Sequence, residues 1–380
     1  MKASLFLDLV KQKLDIDVIA GVPDSTLKQF CDALHFREDF KHFTPANEGA
    51  AVGIAIGNYL KTDKPACVYM QNSGIGNIVN PVCSLANNEV YGIPMLFICG
   101  WRGEPGVHDE PQHVYQGKVT CKFFEDMDIP YSIIDAATDI NELDAVFESA
   151  LAAFAKRRQY AVIVKKGSFE KEYKFSWDNG NKLIREDALK SIVKLVPKNV
   201  PIVSTTGKIS REVYEACDLI NGNHDNVFLT VGGMGHASMI AYGLSQADAN
   251  QKVVCIDGDG AALMHMGSLA FIASHAPRNF YHIVINNMAH ESVGSMPTDC
   301  GNISFAKVAL AAGYKKTVVI NDIDELTEAF GKDINATEIG PVLYEINVSL
   351  GSRDDLGRPK ESAAANRASF MQFLSNIDGE

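Results

Sequence analysis

Two short motifs in the second half of the chain carry the residue types that bind phosphate and a divalent cation. Gly258-Asp259-Gly260 comes first, and Asn286-Asn287 follows after the 25 residues 261–285. Glycines on both sides of Asp259 allow the backbone to approach a ligand closely and to turn its N–H groups toward a phosphate. One anionic and one neutral side-chain oxygen, completed by phosphate oxygens, suit Mg²⁺. Asp-Gly and Asn-Asn are also common turn pairs, but together at this spacing they predict a diphosphate and magnesium site.

Each motif follows an apolar run that predicts a buried strand, and amphipathic stretches separate such runs along the whole chain. This alternation predicts parallel sheets with helices on both faces, in which ligands bind beyond the carboxyl ends of the strands. Further candidate turns at predicted strand ends are Val22-Pro23-Asp24, Gln71–Asn77, Ser204–Ser210 and Val231–His236.

The Gly-Asp-Gly and Asn-Asn motifs at this spacing resemble the signature of the thiamin-diphosphate-dependent enzymes. The resemblance implies a thiamin diphosphate cofactor and a Mg²⁺ ion that holds its diphosphate. The implied metal ligands are the side chains of Asp259 and Asn287 and the backbone carbonyl of Ala289. Other residues that the resemblance places against the cofactor are Gly258, Gly260 and Ala261.

Glu48 matches a second requirement of the family, a glutamate opposite the aminopyrimidine ring of the cofactor. It begins a predicted helix after a short strand. In that place a carboxylic acid performs general acid–base catalysis. A glutamate in the first helical turn also complements the helix dipole, but the motifs downstream favour the catalytic interpretation. Asn77, in the helix predicted over Ile75–Asn87, is expected at the pyrimidine edge.

Two glycine-containing turns resemble nucleotide-binding motifs without completing them. Val231–His236 begins like a dinucleotide fingerprint, but Ser238 stands where the third glycine belongs. Ser204–Ser210 resembles a phosphate-binding loop, yet Ile202 replaces its first glycine and Ile209 its Ser or Thr. These departures argue against a nucleotide-dependent oxidoreductase, which is the alternative from another functional class.

The same two turns have roles in the family pattern. There Gly232 accepts the amino group of the pyrimidine with its carbonyl, and Met234 supports the bent cofactor. Thr206 and Gly207 are expected near the diphosphate. Simple core packing is the alternative interpretation of Met234.

Asp24 resembles an active-site aspartate of the pyruvate-decarboxylase branch, although the motif departs by one residue. A helix N-cap at Asp24 or Ser25 is the alternative. That branch also carries a His-His pair where this chain has Asn87-Asn88, which argues against simple pyruvate decarboxylation.

The resemblance covers the whole chain and is strongest to short, two-domain members of the family that decarboxylate 3-phosphonopyruvate or 3-sulfopyruvate. Segments that carry it include PANEGAAVGIAIG, ESVGSMPT and SRDDLGRPK. It implies non-oxidative decarboxylation of 3-phosphonopyruvate to phosphonoacetaldehyde and CO₂ in phosphonate biosynthesis, with 3-sulfopyruvate as the alternative substrate.

The charge of such a substrate requires local cations, because the chain has 35 Lys+Arg against 47 Asp+Glu and a net charge of −12. Candidates in turns at strand ends are Arg102, Lys208, Arg353 and Arg358. A salt-bridged surface loop is the alternative for the last two, since Asp354 and Asp355 are adjacent.

The fold class predicted is α/β, with two doubly wound parallel-sheet domains of the thiamin-diphosphate-binding fold and no middle domain. The expected boundaries are 1–165 for a pyrimidine-binding domain, 166–182 for a linker and 183–380 for a diphosphate-binding domain. No internal repeat is visible. In the family Glu48 and Asp259 meet across a subunit interface, which implies a homodimer or larger assembly.

Composition excludes other classes of protein. The acidic balance disfavours a general binder of nucleic acid or of anionic membranes, and no apolar run is long enough to span a bilayer. The N-terminus lacks the apolar core of a secretory signal. Eight cysteines without a Cys-x-x-Cys pair are typical of the reducing cytoplasm.

Residues 100–113 are predicted to form a loop, because Pro105, Gly106 and Pro111 interrupt any helical pattern. The histidines and acids of His108–His113 have metal-ligand chemistry. A mobile loop over the active site is the preferred interpretation, since the segment follows a strand that ends near Gly100.

Overall fold

The computed structural model describes residues 1–336 and 339–377. The chain divides into two compact units. Unit 1 comprises Met1–Ser176 with Val293–Met296, and unit 2 comprises Trp177–Ser292 with Pro297–Glu380. The division at Ser176 falls inside segment 166–182, and no helix or strand occurs between Val164 and Arg185.

Unit 1 contains short strands that form one parallel six-stranded sheet. The strands are β1 (Val18–Gly21), β2 (Lys41–Phe43), β3 (Ala66–Gln71), β4 (Met95–Gly100), β5 (Tyr131–Ile134) and β6 (Tyr160–Val164). Their order across the sheet is β2-β1-β3-β4-β6-β5. The helices are α1 (Ala3–Leu14), α2 (Lys28–His35), α3 (Glu48–Thr62), α4 (Ile75–Pro81), α5 (Pro111–Asp126) and α6 (Ile140–Phe154). β3 and β4 are apolar over most of their length because helices cover both faces of a parallel sheet.

Unit 2 is built in the same manner. Its parallel sheet comprises β7 (Ile202–Ser204), β8 (Val227–Leu229), β9 (Val253–Gly258), β10 (Phe280–Asn286), β13 (Lys316–Ile320) and β14 (Val342–Asn347), in the order β13-β14-β10-β9-β7-β8. Two-residue strands β11 (Ala289–His290) and β12 (Met296–Pro297) follow β10 in the chain. The helices are α7 (Arg185–Leu195), α8 (Lys208–Asn221), α9 (Ala237–Ala247), α10 (Asp259–Met264), α11 (Gly267–His275), α12 (Phe305–Ala312), α13 (Ile323–Asn335) and α14 (Ala363–Ile377).

The two sheets share one strand order although the sequence shows no internal repeat. When the strands of each unit are numbered by their order in the chain, both sheets have the same order: second, first, third, fourth, sixth and fifth strand. In both, the order reverses between the first and the third strand, that is, between β1 and β3 and between β7 and β9. Ligands bind at such a reversal in open parallel sheets. The predicted pair of doubly wound parallel-sheet domains is therefore confirmed.

The structure differs from the sequence-based expectation at two segments of unit 1. α5 begins at Pro111, where a loop was expected, because proline suits the first position of a helix. The helix predicted over Ile75–Asn87 is α-helical only to Pro81, and Val82–Ala86 form a wider turn. Proline lacks the N–H that would continue the α-helical hydrogen bonds. Among the described helices, none is both long and apolar enough to cross a membrane.

Candidate functional site

Glu48 is placed by the start of a helix in unit 1. It is the first residue of α3, and the side chain of Asn47 accepts a hydrogen bond of 3.0 Å from the N–H of Ala50. Asparagine is a favoured residue before the first helical turn, so the local sequence fixes where α3 begins. The side chain of Glu48 is buried, with 4% of the residue exposed.

Two neighbours define the surroundings of the Glu48 carboxyl group. Asn77 Nδ2 donates a hydrogen bond of 2.6 Å to Glu48 Oε2. A Cβ atom on Gly74 would lie 2.3 Å from Oε1, so only glycine permits this approach. Burial raises the pKa of Glu48, and the hydrogen bond from Asn77 opposes that rise. A carboxyl group with a raised pKa is suited to general acid–base catalysis.

Asp24 lies in the turn after β1 and is fully buried. Gln71 Nε2 donates to its Oδ1 at 2.6 Å, and the N–H groups of Thr26 and Leu27 donate to Oδ2 at 3.0 and 3.1 Å. Burial raises the pKa of Asp24, whereas the hydrogen bond from Gln71 lowers it. Leu27, not Asp24 or Ser25, precedes the first residue of α2. The carboxylate thus holds the turn before the helix instead of capping it.

Asp259 directly follows β9 in unit 2 and is the first residue of α10. The residue is 4% exposed, and Thr298 Oγ1 donates to its Oδ2 at 3.1 Å. In the described part of the chain no lysine or arginine lies within ion-pair distance of it. Burial raises the pKa of Asp259 to about 6. A buried carboxylate without a cationic neighbour is costly, so the site fits a divalent cation bound there.

The glycines around Asp259 allow close packing in its turn. A Cβ on Gly260 would lie 3.1 Å from His290 Cε1 and 3.4 Å from Met234 Cε, and one on Gly258 would lie 3.3 Å from Ile209 Cδ1. The structure therefore brings the Met234 side chain to the Gly-Asp-Gly turn. Ala261, in the same turn, is buried.

The turns after β7 and β8 are joined to each other. Thr206 Oγ1 donates a hydrogen bond of 2.9 Å to the carbonyl of Val231, next to the partly exposed Gly232. Gly207 has a φ of 93°, which favours glycine, and α8 begins at the following residue. Thr206, Gly207 and Gly232 thus lie together in unit 2.

Asn286, the last residue of β10, and Asn287, which follows it, have different partners. Asn286 Nδ2 donates to Glu345 Oε1 at 3.2 Å, whereas Asn287 Nδ2 donates to Glu291 Oε2 at 2.6 Å. Asn287 Oδ1 accepts the N–H of Ala289 at 3.1 Å. Asn286 is thus tied to the strand β14, and Asn287 to the loop that carries Ala289.

The four cations considered for the substrate are distributed over both units. Arg102 forms an ion pair with Asp109, and Lys208 Nζ lies 3.1 Å from Glu291 Oε1. The guanidinium of Arg353 contacts the carboxylates of Glu186, Glu215 and Asp355, which matches the salt-bridged alternative. Arg358 is exposed in the same segment, between β14 and α14.

Several residues of these turns have no role in the sequence-based interpretation. Gln71 and Gly74 lie in a turn that the sequence singled out, so its composition was a usable signal. Thr298 and Glu291 contact residues distant in sequence, and Asn179, in the expected linker, donates to the carbonyl of Asn287 at 2.9 Å. No periodicity or motif predicts those contacts.

Comparisons with known proteins match both units. A family model described as the N-terminal TPP binding domain of thiamine pyrophosphate enzymes matches residues 2–124, and one described as their C-terminal TPP binding domain matches residues 207–346. Phosphonopyruvate decarboxylases of Streptomyces viridochromogenes and Streptomyces hygroscopicus are each 33% identical over 379 aligned residues, which cover 95% of this chain and 92% and 91% of those proteins. Sulfopyruvate decarboxylase of Methanosarcina acetivorans is 28% identical over 351 residues, 86% of each chain.

Proposed function

Because this chain belongs to the thiamine pyrophosphate enzyme family, we propose that it decarboxylates 3-phosphonopyruvate to phosphonoacetaldehyde and CO₂, with uptake of one proton. The cofactor of the family is thiamine pyrophosphate, also called thiamin diphosphate, and Mg²⁺ is its usual metal partner. The observation that carries the choice of substrate is the full-length similarity to two phosphonopyruvate decarboxylases at 33% identity. The similarity to a sulfopyruvate decarboxylase is lower, at 28%.

We assign Mg²⁺ binding to Asp259, Asn287 and the carbonyl of Ala289. The proposal is supported by the burial of Asp259 without a lysine or arginine partner among the described residues and by the connection of Asn287 to the loop of Ala289. Hard oxygen ligands of this kind suit Mg²⁺. When bound, the cofactor supplies the electron sink that decarboxylation requires. The surrounding positions proposed to hold it are Thr206, Gly207, Gly232, Met234, Gly258, Gly260 and Ala261.

Glu48 is the proposed general acid–base group, and its carboxyl oxygens hold the proton that is exchanged with the pyrimidine ring. Its support is the buried position, the raised pKa and the hydrogen bond from Asn77. Asp24 is the second proposed acid, because burial also raises its pKa. Two carboxyl groups at the carboxyl edge of one sheet provide separate sites for the protons that the reaction consumes and releases.

Lys208 is the cation that we propose for the phosphonate. It follows Gly207 directly, and its ammonium group has one carboxylate partner, Glu291, which also pairs with Arg185. Arg353, by contrast, is surrounded by three carboxylates. We expect Lys208→Met to raise KM for phosphonopyruvate more than KM for pyruvate, and Arg353→Met to change both equally. Equal changes in the two KM values of Lys208→Met would contradict a role of Lys208 in binding the phosphonate.

The test of the function is a CO₂-release assay with thiamin diphosphate and Mg²⁺. Phosphonopyruvate, sulfopyruvate and pyruvate are compared at equal concentration, each beside a reaction without cofactor. We expect cofactor-dependent turnover to be fastest with phosphonopyruvate. Faster turnover of sulfopyruvate would transfer the assignment to that substrate, and absence of cofactor binding would contradict the proposal as a whole.

We further propose a homodimer or larger assembly whose active site combines Glu48 of one protomer with Asp259 of another. Apolar side chains exposed around α4, among them Val79, Leu85, Val90 and Tyr91, support an interface at that surface. Mixing inactive Glu48→Gln and Asp259→Asn protomers after dissociation should restore about a quarter of the wild-type activity, because half of the dimers then contain one intact site of two. No recovery would contradict shared sites.

We also propose that the protein works in the reducing cytoplasm. All eight cysteines are free, and most are buried among apolar side chains. Thiols are kept reduced in that compartment. Detection of an intramolecular disulfide in protein isolated under non-reducing conditions would contradict the proposal.

A further inference from the structure

Four charged side chains form a largely buried network next to Asn287. Arg185 and Glu212 form two hydrogen bonds of 2.7 and 2.8 Å, and Arg185 also pairs with Glu291. Lys208 completes the network through the other oxygen of Glu291. The side chains of Arg185, Glu212 and Glu291 are 3%, 1% and 6% exposed. Buried charges persist only where partners compensate them, and here two cations meet two carboxylates.

Glu291 is the member of this network that touches the proposed metal ligand. Its Oε2 accepts from Asn287 Nδ2 at 2.6 Å. A carboxylate only accepts hydrogen bonds, so the NH₂ group of the amide must face it. Asn287 Oδ1 is thereby turned the other way, where it accepts the N–H of Ala289. Glu291 thus decides which end of the amide is presented to a ligand.

The neighbouring Asn286 provides a comparison within the same turn. Its NH₂ group is held by Glu345, which also accepts from Ser304 Oγ and the N–H of Ala306 at 2.7 and 3.0 Å. These hydrogen-bond donors to Glu345 are therefore all neutral groups, and Glu345 holds the Asn286 side chain in the core. Glu291, by contrast, has two cationic partners, Arg185 and Lys208, which hold its carboxylate in place.

We propose that Glu291 is a positioning residue that orients the Asn287 amide so that Oδ1 faces Mg²⁺. Arg185 and Lys208 keep the Glu291 carboxylate fixed for this purpose. The inference rests on the proposed function, since it assumes that Asn287 is a metal ligand. Partners behind a metal ligand commonly change metal affinity by about 10- to 100-fold when removed.

The test measures binding of Mn²⁺, by electron paramagnetic resonance, to protein saturated with thiamin diphosphate. Glu291→Met keeps the volume of the side chain but has no strong acceptor, and we expect the Mn²⁺ Kd to rise about tenfold or more. Glu291→Gln keeps an acceptor oxygen for Asn287, and we expect it to restore most of the affinity. Glu345→Met is the matched control, with the same change at the partner of the other asparagine, and should leave Mn²⁺ binding near that of the wild type.

Three results would overturn the inference. They are an unchanged Mn²⁺ affinity in Glu291→Met, equal losses in Glu291→Met and Glu291→Gln, and a loss in Glu345→Met equal to that in Glu291→Met. If Glu291→Met does not fold, Glu291→Asp replaces it, because it keeps the charge but ends one carbon short of Asn287. Its Mn²⁺ affinity must then fall, and an unchanged value overturns the inference. Failure of the wild-type protein to bind Mn²⁺ with the cofactor would instead contradict the proposed function itself, and the inference with it.

Discussion

Glu48 in unit 1 and Asp259 in unit 2 are both 4% exposed, and each is the first residue of a helix. The two helices, α3 and α10, follow strands of sheets that share one strand order. Their neighbours differ. Glu48 has an amide donor, Asn77, and the space left by Gly74. Asp259 receives a hydrogen bond from Thr298, 39 residues away, and lies in a unit that also holds the charged network of Arg185 and Glu291.

We infer from this difference that one topology supports two uses of a carboxyl group. Burial raises the pKa of both residues. A proton can neutralise the buried carboxylate of Glu48, and a general acid requires a group that carries such a proton. We propose that a metal ion compensates Asp259, because no lysine or arginine among the described residues does so and the side-chain oxygen of Asn287 offers a further ligand. The same physical cost of burying a charge is thus met in two ways.

The largest effect is expected at Asp259. Asp259→Asn keeps the shape of the side chain but removes the charge that would bind Mg²⁺. Metal-dependent binding of thiamin diphosphate should weaken by more than the roughly 10- to 100-fold typical of a residue behind a ligand. Isothermal titration calorimetry with and without Mg²⁺ measures this loss, and an unchanged Kd would refute the assignment.

Glu48→Gln should separate chemistry from binding. Glutamine fills the same space and accepts the hydrogen bond from Asn77, but it cannot exchange a proton. We expect turnover to fall by roughly 10²- to 10⁴-fold, while the cofactor still binds as in the wild type. Parallel assays of kcat and of cofactor affinity check this, and full activity would exclude Glu48 as the acid–base group.

Gly74→Ala tests whether the position of Glu48 matters as much as its charge. The new Cβ would lie 2.3 Å from Oε1, so the carboxyl group must move. Displacement of a catalytic group by about 1 Å costs up to roughly 100-fold in rate. Gly331→Ala in α13 is the matched control, since its Cβ meets only the end of the Leu195 side chain, at 3.1 Å. Equal kcat in both variants would contradict the role of Gly74.

The smallest expected effect is on how the stability of the cofactor-free protein depends on pH, compared between the wild type and Glu48→Gln. Folding raises the pKa of Glu48 above its ordinary value of 4.5. Below that value the group is protonated in both states, so Glu48→Gln and the wild type should differ least. As pH rises toward the folded pKa, the unfolded chain loses the proton first and the wild type loses stability relative to the variant. Thermal midpoints measured from about pH 4 to 8 check this, and a difference that shrinks with rising pH would contradict it.

Periodicity predicts the central strands because those strands are apolar and fully covered. The run Ala66–Gln71 predicts β3 with its observed bounds. The strands β5 and β13 are not predicted, since they lie at sheet edges and are only partly buried. α5 was missed because Pro111 was interpreted as a helix breaker, whereas at the first helical position its missing N–H has no cost.

The amino-acid sequence predicts which strand ends carry the candidate cofactor site. The types and spacing of Glu48, Asp259 and Asn287 identify the family, because glycines and oxygen ligands at strand ends are local features. Only the tertiary structure decided how these groups are held. Glu291 reaches Arg185 across 106 residues and Asn179 reaches Asn287 across 108. Such contacts form because parallel strands end at the same edge of a sheet. The separation of two residues along the sequence does not specify how far apart they lie in space.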